Sequence, residues 1–272
     1  MMGAFLFCAG AQVDFRKAGL SIYKGCALLV TKVGIGIILG LVVNYFFGIY
    51  GILGITPLAI ISALTNKNGG LFVALADEYG DETDVGAYSI IVLSDGPMFT
   101  MIAFAASGLA QISIVSLIAS ILPLIVGFIL GNLDSDIRSF TEPGMSLLMP
   151  FFAFPLGATM SFSQIASAGI GGVVLGVLCV LITSTAGYGC YRLLHFKHCE
   201  VGAASGSTSG NAVATPATIA AADPTYAPIA AAATAQVAAA TVITAILCPV
   251  FCSIFHNYEK KRLAHKKAQL SE

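Results

Sequence analysis

Charged residues are scarce in this sequence, and their scarcity excludes an ordinary soluble domain. They make up 10% of the 272 residues, whereas a soluble globular domain carries about 25%. The shortage is local, because Asp95 is the only charged residue between Val85 and Gly131, and residues 225–255 carry none. A helix of about 20 apolar residues crosses a bilayer core roughly 30 Å thick. These stretches therefore predict an all-α, polytopic membrane protein.

Several motifs that carry enzyme chemistry are absent from the sequence. The seven cysteines form no CxxC pair, and Cys248 and Cys252 lie in an apolar run that indicates packing rather than metal binding. The four histidines lie near span ends or in the tail, which excludes an intramembrane histidine metal site or triad. No P-loop is present, which argues against an ATP-driven pump, and the net charge of −1 excludes a broad basic face for nucleic acid. We expect no enzyme activity, catalytic residue, metal or cofactor.

Basic residues predict how the chain is oriented in the membrane. The C-terminal tail carries five of them, Lys260, Lys261, Arg262, Lys266 and Lys267. Cytoplasmic loops are enriched in lysine and arginine, so we expect a cytoplasmic C-terminus. Counting spans backward places Arg192, Arg138, Arg16 and Lys17 on the same side, with the acidic loop 77–84 as the exception.

Small residues at helical spacing predict close helix packing. The segments 36–40 (GIILG) and 172–176 (GVVLG) both match the GxxxG pattern. Because this pattern lets two helix backbones approach closely, packing is a sufficient explanation for both.

Two halves of the chain resemble each other, which predicts an internal repeat. Residues 5–11 (FLFCAGA) resemble residues 152–158 (FAFPLGA), and Thr65 and Asn68 align with Thr208 and Asn211. Interrupted segments at matching positions are typical of an inverted-repeat transporter, although chance similarity among apolar segments stays an alternative. We expect one transmembrane domain over residues 1–272, with a first repeat at 1–111, a second at 112–256 and the tail at 257–272. The first repeat is shorter, so we expect the fold to need an N-terminal helix that this chain lacks.

Two breaker-rich segments, 65–70 and 205–216, are candidates for unwound backbone at membrane depth. Such backbone is tolerated only where it lines a cavity or is buried in protein. If the two discontinuous helices cross, their ends present free N–H groups suited to a carboxylate, and polar side chains suited to sugar hydroxyls. The candidate substrate-binding residues are Thr65, Asn66, Asn68, Gly69, Gly70, Thr208, Ser209, Asn211 and Thr215. A flexible loop or small-residue helix packing is the alternative.

Asp95 and Lys32 are candidates for proton coupling. Asp95 lies about 15 Å into its span at 1.5 Å per residue, close to the midplane, and an acid there is a functional candidate by default. Burial favours its protonated form, so it can bind and release a proton. Lys32 lies at a comparable depth, so the two residues are candidates for a pair. A static salt bridge is the alternative interpretation.

Several motifs together resemble the 2-keto-3-deoxygluconate permease family. They are residues 149–157 (MPFFAFPLG), 127–134 (GFILGNLD), 94–97 (SDGP), 211–216 (NAVATP), 68–71 (NGGL) and 30–32 (VTK). The resemblance covers nearly the whole chain. It implies a proton symporter that imports 2-keto-3-deoxygluconate, a sugar acid, across the bacterial inner membrane.

The resemblance also implies a fold similar to bile-acid sodium symporters and sodium/proton antiporters. In that ten-helix inverted repeat, the broken fourth and ninth helices would carry residues 65–70 and 205–216, and the fifth helix would carry Asp95. We expect the first helix and part of the second helix of this pattern to be missing from the chain. Its first break, TNKNGG, is longer than the family pattern and contains Lys67.

Other functions stay open at this point. One is a sodium-coupled symporter of another organic anion, and another is a non-transporting or degenerate membrane fragment. The expected partners are a small sugar acid, a proton and the lipid bilayer, with homo-oligomerisation left open.

Overall fold

The computed structural model describes residues 2–13, 19–158 and 162–270. Within these ranges the chain is helical, and its one β-type contact is an isolated bridge between Ile52 and Ile55. The α-helices are α1 (Met2–Ala11), α2 (Gly19–Phe47), α3 (Pro57–Thr65), α4 (Gly69–Tyr79), α5 (Glu82–Gly86), α6 (Tyr88–Ile91), α7 (Met98–Ala106), α8 (Ile114–Leu133), α9 (Ser135–Ala158), α10 (Phe162–Leu193), α11 (Thr215–Ala222) and α12 (Ala227–Leu270). Short 3₁₀ segments cover Val92–Ser94, Cys199–Gly206, Gly210–Ala214 and Pro224–Tyr226.

Three helical stretches are long and apolar enough to cross a membrane. They are Gly19–Phe47, Gly169–Leu193 and Pro224–Ala264, and two bent helix pairs, Pro57–Thr65 with Gly69–Tyr79 and Glu82–Ser94 with Met98–Ala106, raise the number to as many as five. Large apolar side chains on these helices point outward, such as Val30 on α2 and Ile246 on α12. Since lipid solvates such side chains, the prediction of a polytopic α-helical membrane protein is confirmed.

The predicted GxxxG segments pack against neighbouring helices. A Cβ atom at Gly40 would lie 2.2 Å from Ile61 on α3. Similarly, a Cβ atom at Gly176 would lie 2.7 Å from Ile243 on α12. Helix packing is therefore the structural role of both segments, as their sequence indicates.

Both predicted breaks are present. α3 and α4 meet at a 45° bend, with Asn66 in extended conformation and Asn68 capping α4. In the second segment a 3₁₀ stretch ends at Gly206, and Ser207 and Ser209 are extended before the chain coils again. Asparagine, serine and glycine favour such breaks because their short side chains bond to nearby backbone groups or tolerate unusual backbone angles.

A third break, which is not one of the two predicted from the sequence, lies at Asp95. The helical stretch through Ser94 and the helix beginning at Met98 form a 58° bend. Gly96 has a φ of +136°, a conformation that favours glycine, and Pro97 cannot continue a preceding helix. Gly96 and Pro97 break the helix without lowering the apolar character of the run, so hydropathy alone does not reveal this break.

The predicted tail continues the last span. α12 runs through to Leu270 as one helix, so residues 257–270 are helical, and residues 271 and 272 lie outside the described ranges. Arg16 and Lys17, which the orientation prediction uses, also lie outside them.

Candidate functional site

The first break supplies Thr65 and Asn66, whose side chains are fully buried. The Asn66 amide nitrogen donates to the carbonyl oxygen of Ser62 (2.8 Å), and its amide oxygen accepts from the backbone N–H of Gly96 (2.8 Å). The Thr65 hydroxyl lies 2.7 Å from the hydroxyl of Thr100 on α7. Hydrogen bonds therefore join the first break to the third break and to the helix that follows it.

The third break presents the carboxylate of Asp95, which is 6% exposed. The Asn211 amide nitrogen donates to its Oδ1 atom (2.7 Å), and the Ser209 hydroxyl donates to the same oxygen. The backbone N–H of Asn211 donates to the Ser209 hydroxyl oxygen (2.9 Å), which orients that hydroxyl toward Asp95. The third break is thus joined to the second.

Thr208 joins the second break to the first. Its hydroxyl donates to the carbonyl oxygen of Ala63 (2.9 Å), and its backbone N–H donates to the hydroxyl of Thr244 on α12 (3.0 Å). Because backbone at membrane depth must find its partners inside the protein, these contacts account for the stability of the three breaks. The residues that join the breaks are Thr65, Asn66, Asp95, Thr208, Ser209 and Asn211, and we refer to them as the central site.

Buried polar atoms without a hydrogen-bond partner occur in and beside the central site. Among the described residues they include the hydroxyl oxygens of Ser62, Ser207 and Thr215 and the amide oxygen of Asn211. An unpaired buried group costs about 1–3 kcal/mol, and most buried polar groups in native proteins are paired. A ligand rich in hydroxyl groups would supply the missing partners.

The remaining sequence-predicted binding residues lie at the edges of this arrangement. Thr215 begins α11 with a buried hydroxyl. Asn68 uses its side chain to cap α4, accepting from the backbone N–H of Leu71 (3.0 Å). Gly69 lies against Tyr88, since a Cβ atom there would be 2.5 Å from the ring, and Gly70 is exposed. A binding role for these residues stays a prediction.

Lys32 is buried, but its candidate pairing with Asp95 is not observed. Its ammonium donates to the carbonyl oxygens of Ser205 (2.8 Å) and Ser207. These carbonyls lie where the 3₁₀ stretch ends, so they lack the helical partners that an uninterrupted helix would give them. The candidate pair does not form because equal depth in the membrane does not place two side chains on facing sides of their helices.

Comparison with known proteins decides the family. A family model described as 2-keto-3-deoxygluconate permease matches residues 1–261. The chain belongs to this family. It is similar to 2-keto-3-deoxygluconate permease 1 of Salmonella typhimurium, with 47% identity over 253 residues that cover 93% of this chain and 80% of that protein. It is also similar to the 2-keto-3-deoxygluconate permease of Bacillus subtilis, with 36% identity over 255 residues that cover 92% and 77%.

A third relative, the 2-keto-3-deoxygluconate permease of Tolumonas auensis, is 34% identical over 260 residues, covering 94% of this chain and 78% of that protein. Its name and those of the other two relatives are those of transporters. This member of the 2-keto-3-deoxygluconate permease family is accordingly a membrane transport protein and not an enzyme.

A cavity of about 890 Å³ lies beside α5 and α6. Its lining carries four acidic side chains, Asp77, Asp81, Glu82 and Glu142. Tyr88 also lines it and packs on Gly69 of the first break. Through Tyr88 the cavity therefore borders Gly69 of the first break.

A buried ion pair borders this acidic cavity. The Lys24 ammonium lies 2.7 Å from Asp84 Oδ1 and 3.5 Å from Asp81 Oδ1, and it donates to the Thr83 hydroxyl (2.8 Å). Lys24 and Asp84 are 2% and 0% exposed. The pKa of Asp81 lies well below its ordinary value, chiefly because the Thr83 hydroxyl donates to its carboxylate, with the Lys24 charge adding to the effect. These contacts fasten α2 to the start of α5.

A second group of charged residues lies where α10 and α12 approach each other. Glu259 accepts from Tyr188 and from Arg262 (3.1 Å), and Glu200 lies 3.1 Å from a ring nitrogen of His256. A cavity of about 780 Å³ lies between the loop after α4 and the C-terminal part of α12, and it is lined by Glu200, His256, Glu259 and Arg262. No cluster of three or more histidine, cysteine or acidic residues suited to a metal ion occurs within the described ranges.

Proposed function

We propose that this chain imports 2-keto-3-deoxygluconate, or a closely similar sugar acid, together with a proton. The observation that carries the proposal is the Asp95 carboxylate, which is buried among three helix breaks and held by Ser209 and Asn211. The names of the relatives support the substrate. The unpaired hydroxyl and amide groups in and beside the central site support a polyhydroxylated ligand.

Protonation of Asp95 provides a means of coupling. The carboxylate accepts two hydrogen bonds from the second break, and charge-assisted bonds of this kind are roughly twice as strong as neutral ones. Protonation removes the charge and weakens both bonds, which frees the second break to move relative to the third. A proton taken up from outside would thus favour the conformation that carries substrate inward, and its release inside would reset the contact.

The predicted orientation of the chain indicates which side of the membrane the acidic cavity faces. The basic residues of the α12 end support a cytoplasmic C-terminus. The acidic cavity would then open to the cytoplasm of a bacterial cell, on the side where the proton is released. The buried Lys24–Asp84 pair, beside that cavity, would separate when the cytoplasmic path widens.

The internal repeat belongs to the same proposal. In an inverted repeat the first and second breaks would be the two matching discontinuous elements, and the hydrogen bond from Thr208 to Ala63 supports their crossing. An additional N-terminal helix and a homo-oligomeric state stay predictions.

Uptake by the purified chain in proteoliposomes tests the proposal. We expect labelled 2-keto-3-deoxygluconate to accumulate when the outside is acidic, and an inward sodium gradient at equal pH to give no accumulation. Accumulation driven by a sodium gradient alone would show that the coupling ion is sodium and not a proton. Binding without uptake under either gradient would identify a non-transporting membrane protein.

A further inference from the structure

Lys67, within the first break, is a buried cation that the central site leaves without a partner. It lies between Asn66, where α3 has ended, and Asn68, which caps α4. Lys67 is 2% exposed, and its ammonium has no hydrogen-bond partner among the described residues. The ammonium lies 4.0 Å from the centre of the Phe72 ring.

The surroundings of Lys67 do not neutralise its charge. The Phe72 ring attracts a cation through its negative face, but it accepts no hydrogen bond of ordinary strength. The titratable side chains that act on Lys67 are Lys32, whose ammonium has the same sign, and the thiols of Cys248 and Cys252, none of which is a carboxylate. Lys32 is satisfied by two carbonyl oxygens, whereas no acidic side chain forms an ion pair with Lys67 in the part of the chain that the structure describes. The amino end of α4 adds further positive potential beside it.

An isolated ammonium in a membrane interior is costly, so such residues are retained for function. The Lys67 ammonium has neither a hydrogen-bond acceptor nor a carboxylate partner among the described residues, so an anionic ligand would supply both. A sugar acid brings one negative charge, on its carboxylate, and that group accepts hydrogen bonds from an ammonium.

We propose that Lys67 binds the carboxylate of the transported sugar acid and so selects anionic over neutral sugars. The inference rests on the proposed function, in which the same central site binds the sugar. The hydroxyl groups of the substrate would face the central site, while its carboxylate would face Lys67. Lys67 is enclosed in this conformation, so the contact forms when the breaks separate to admit the substrate.

A packing role on Phe72 is the competing explanation, and charge selectivity separates the two. Binding of 2-keto-3-deoxygluconate and of its uncharged methyl ester is measured on the purified full chain. Wild-type protein is expected to bind the acid at least tenfold more tightly than the ester, as about 1.4 kcal/mol from one charge-assisted contact implies. Equal affinity of the wild-type protein for acid and ester would overturn the proposal without any variant.

Variants of Lys67 test whether this residue causes the preference for the acid over the ester. Lys67→Met keeps the length and the apolar stem but removes the charge, so we expect at least tenfold weaker binding of the acid with little change for the ester. Lys67→Arg keeps the charge and should retain most of the preference. Lys197→Met, at an exposed lysine, is the matched control. Thermal unfolding of each variant reports its folding, and Lys67→Gln serves if Lys67→Met does not fold.

These measurements test the role of Lys67 separately from the proposed function. A folded Lys67→Met protein that binds the acid as tightly as wild type would overturn the assignment of Lys67 and leave the proposed function standing. Failure of the wild-type protein to bind the acid at all would overturn the proposed function, and the assignment of Lys67 with it.

Discussion

Replacement of Asp95 by asparagine tests the coupling role of the carboxylate. The two side chains have nearly the same shape, and the asparagine oxygen can still accept from Ser209 and Asn211. The change removes the charge and the ability to bind a proton. The amide group that it introduces has no acceptor among the contacts that Asp95 makes.

The magnitude follows from those two contacts. A hydrogen bond to a charged group contributes about 1.5–3 kcal/mol, against about 0.5–1.5 kcal/mol for a neutral one. Asp95→Asn should therefore cost roughly 2 kcal/mol of stability over two bonds where the wild-type carboxylate is ionised. Where the wild-type residue is protonated, the difference should nearly vanish.

Asp95→Asn should also change how strongly the substrate accumulates. One pH unit across the membrane supplies about 1.4 kcal/mol per proton, or a tenfold change in accumulation. Wild-type protein in proteoliposomes should accumulate 2-keto-3-deoxygluconate about tenfold more for each unit of inward pH gradient, assuming one proton per substrate. Asp95→Asn should bring substrate to equilibrium and no further, while still exchanging labelled for unlabelled substrate.

The matched control is Asp136→Asn, the same chemical change at an exposed acid on α9. It should accumulate substrate as wild type does. If folded Asp95→Asn protein keeps the wild-type dependence on the pH gradient, the reasoning about Asp95 is refuted and another group must carry the proton.

Three further predictions concern packing, the breaks and the charged contacts. Gly40→Ala should destabilise the protein by about 1–3 kcal/mol in thermal unfolding, because the added methyl group overlaps the facing isoleucine of α3; unchanged stability would contradict this packing. Asn66→Ala should lower substrate affinity more than Asn68→Ala, which should cost about 1 kcal/mol of stability through the lost cap; the reverse order in a binding assay would count against the central site. Asp81→Asn should lower stability at pH 7, where the lowered pKa keeps this residue ionised beside Lys24. That difference should begin to shrink as the pH falls below about 4, where the unfolded aspartate becomes protonated, and should vanish only at the lower pH where the folded carboxylate is protonated as well. A pH-independent difference would contradict it.

The first two breaks were predictable from the sequence for a physical reason. Asparagine, serine and glycine interrupt apolar runs at 65–70 and 205–216, and at membrane depth such residues have few other roles. The residue types also indicated which side chains would meet, since Thr65, Asn66, Thr208, Ser209 and Asn211 do lie together. The role of Asn68 as a cap follows from its place directly before α4.

The third break and the partner of Lys32 were not predictable in the same way. Gly96 and Pro97 were visible, but the surrounding run is apolar enough to span the membrane without a break. Depth estimates placed Lys32 near Asp95, whereas the rotation of α2 directs its ammonium to the carbonyls of Ser205 and Ser207. Those acceptors are backbone atoms that become available only when the second segment leaves α-helical geometry, and no residue type encodes them.

The central claim is that three helix breaks form the substrate site of a member of the 2-keto-3-deoxygluconate permease family. An experimental structure of the full chain with bound 2-keto-3-deoxygluconate tests it most directly. We predict substrate hydroxyl groups within hydrogen-bond distance of Asn211 and Thr215, beside Asp95. Substrate found only in the cavity between Glu78 and Arg262, with the three breaks closed as they are here, would contradict the account.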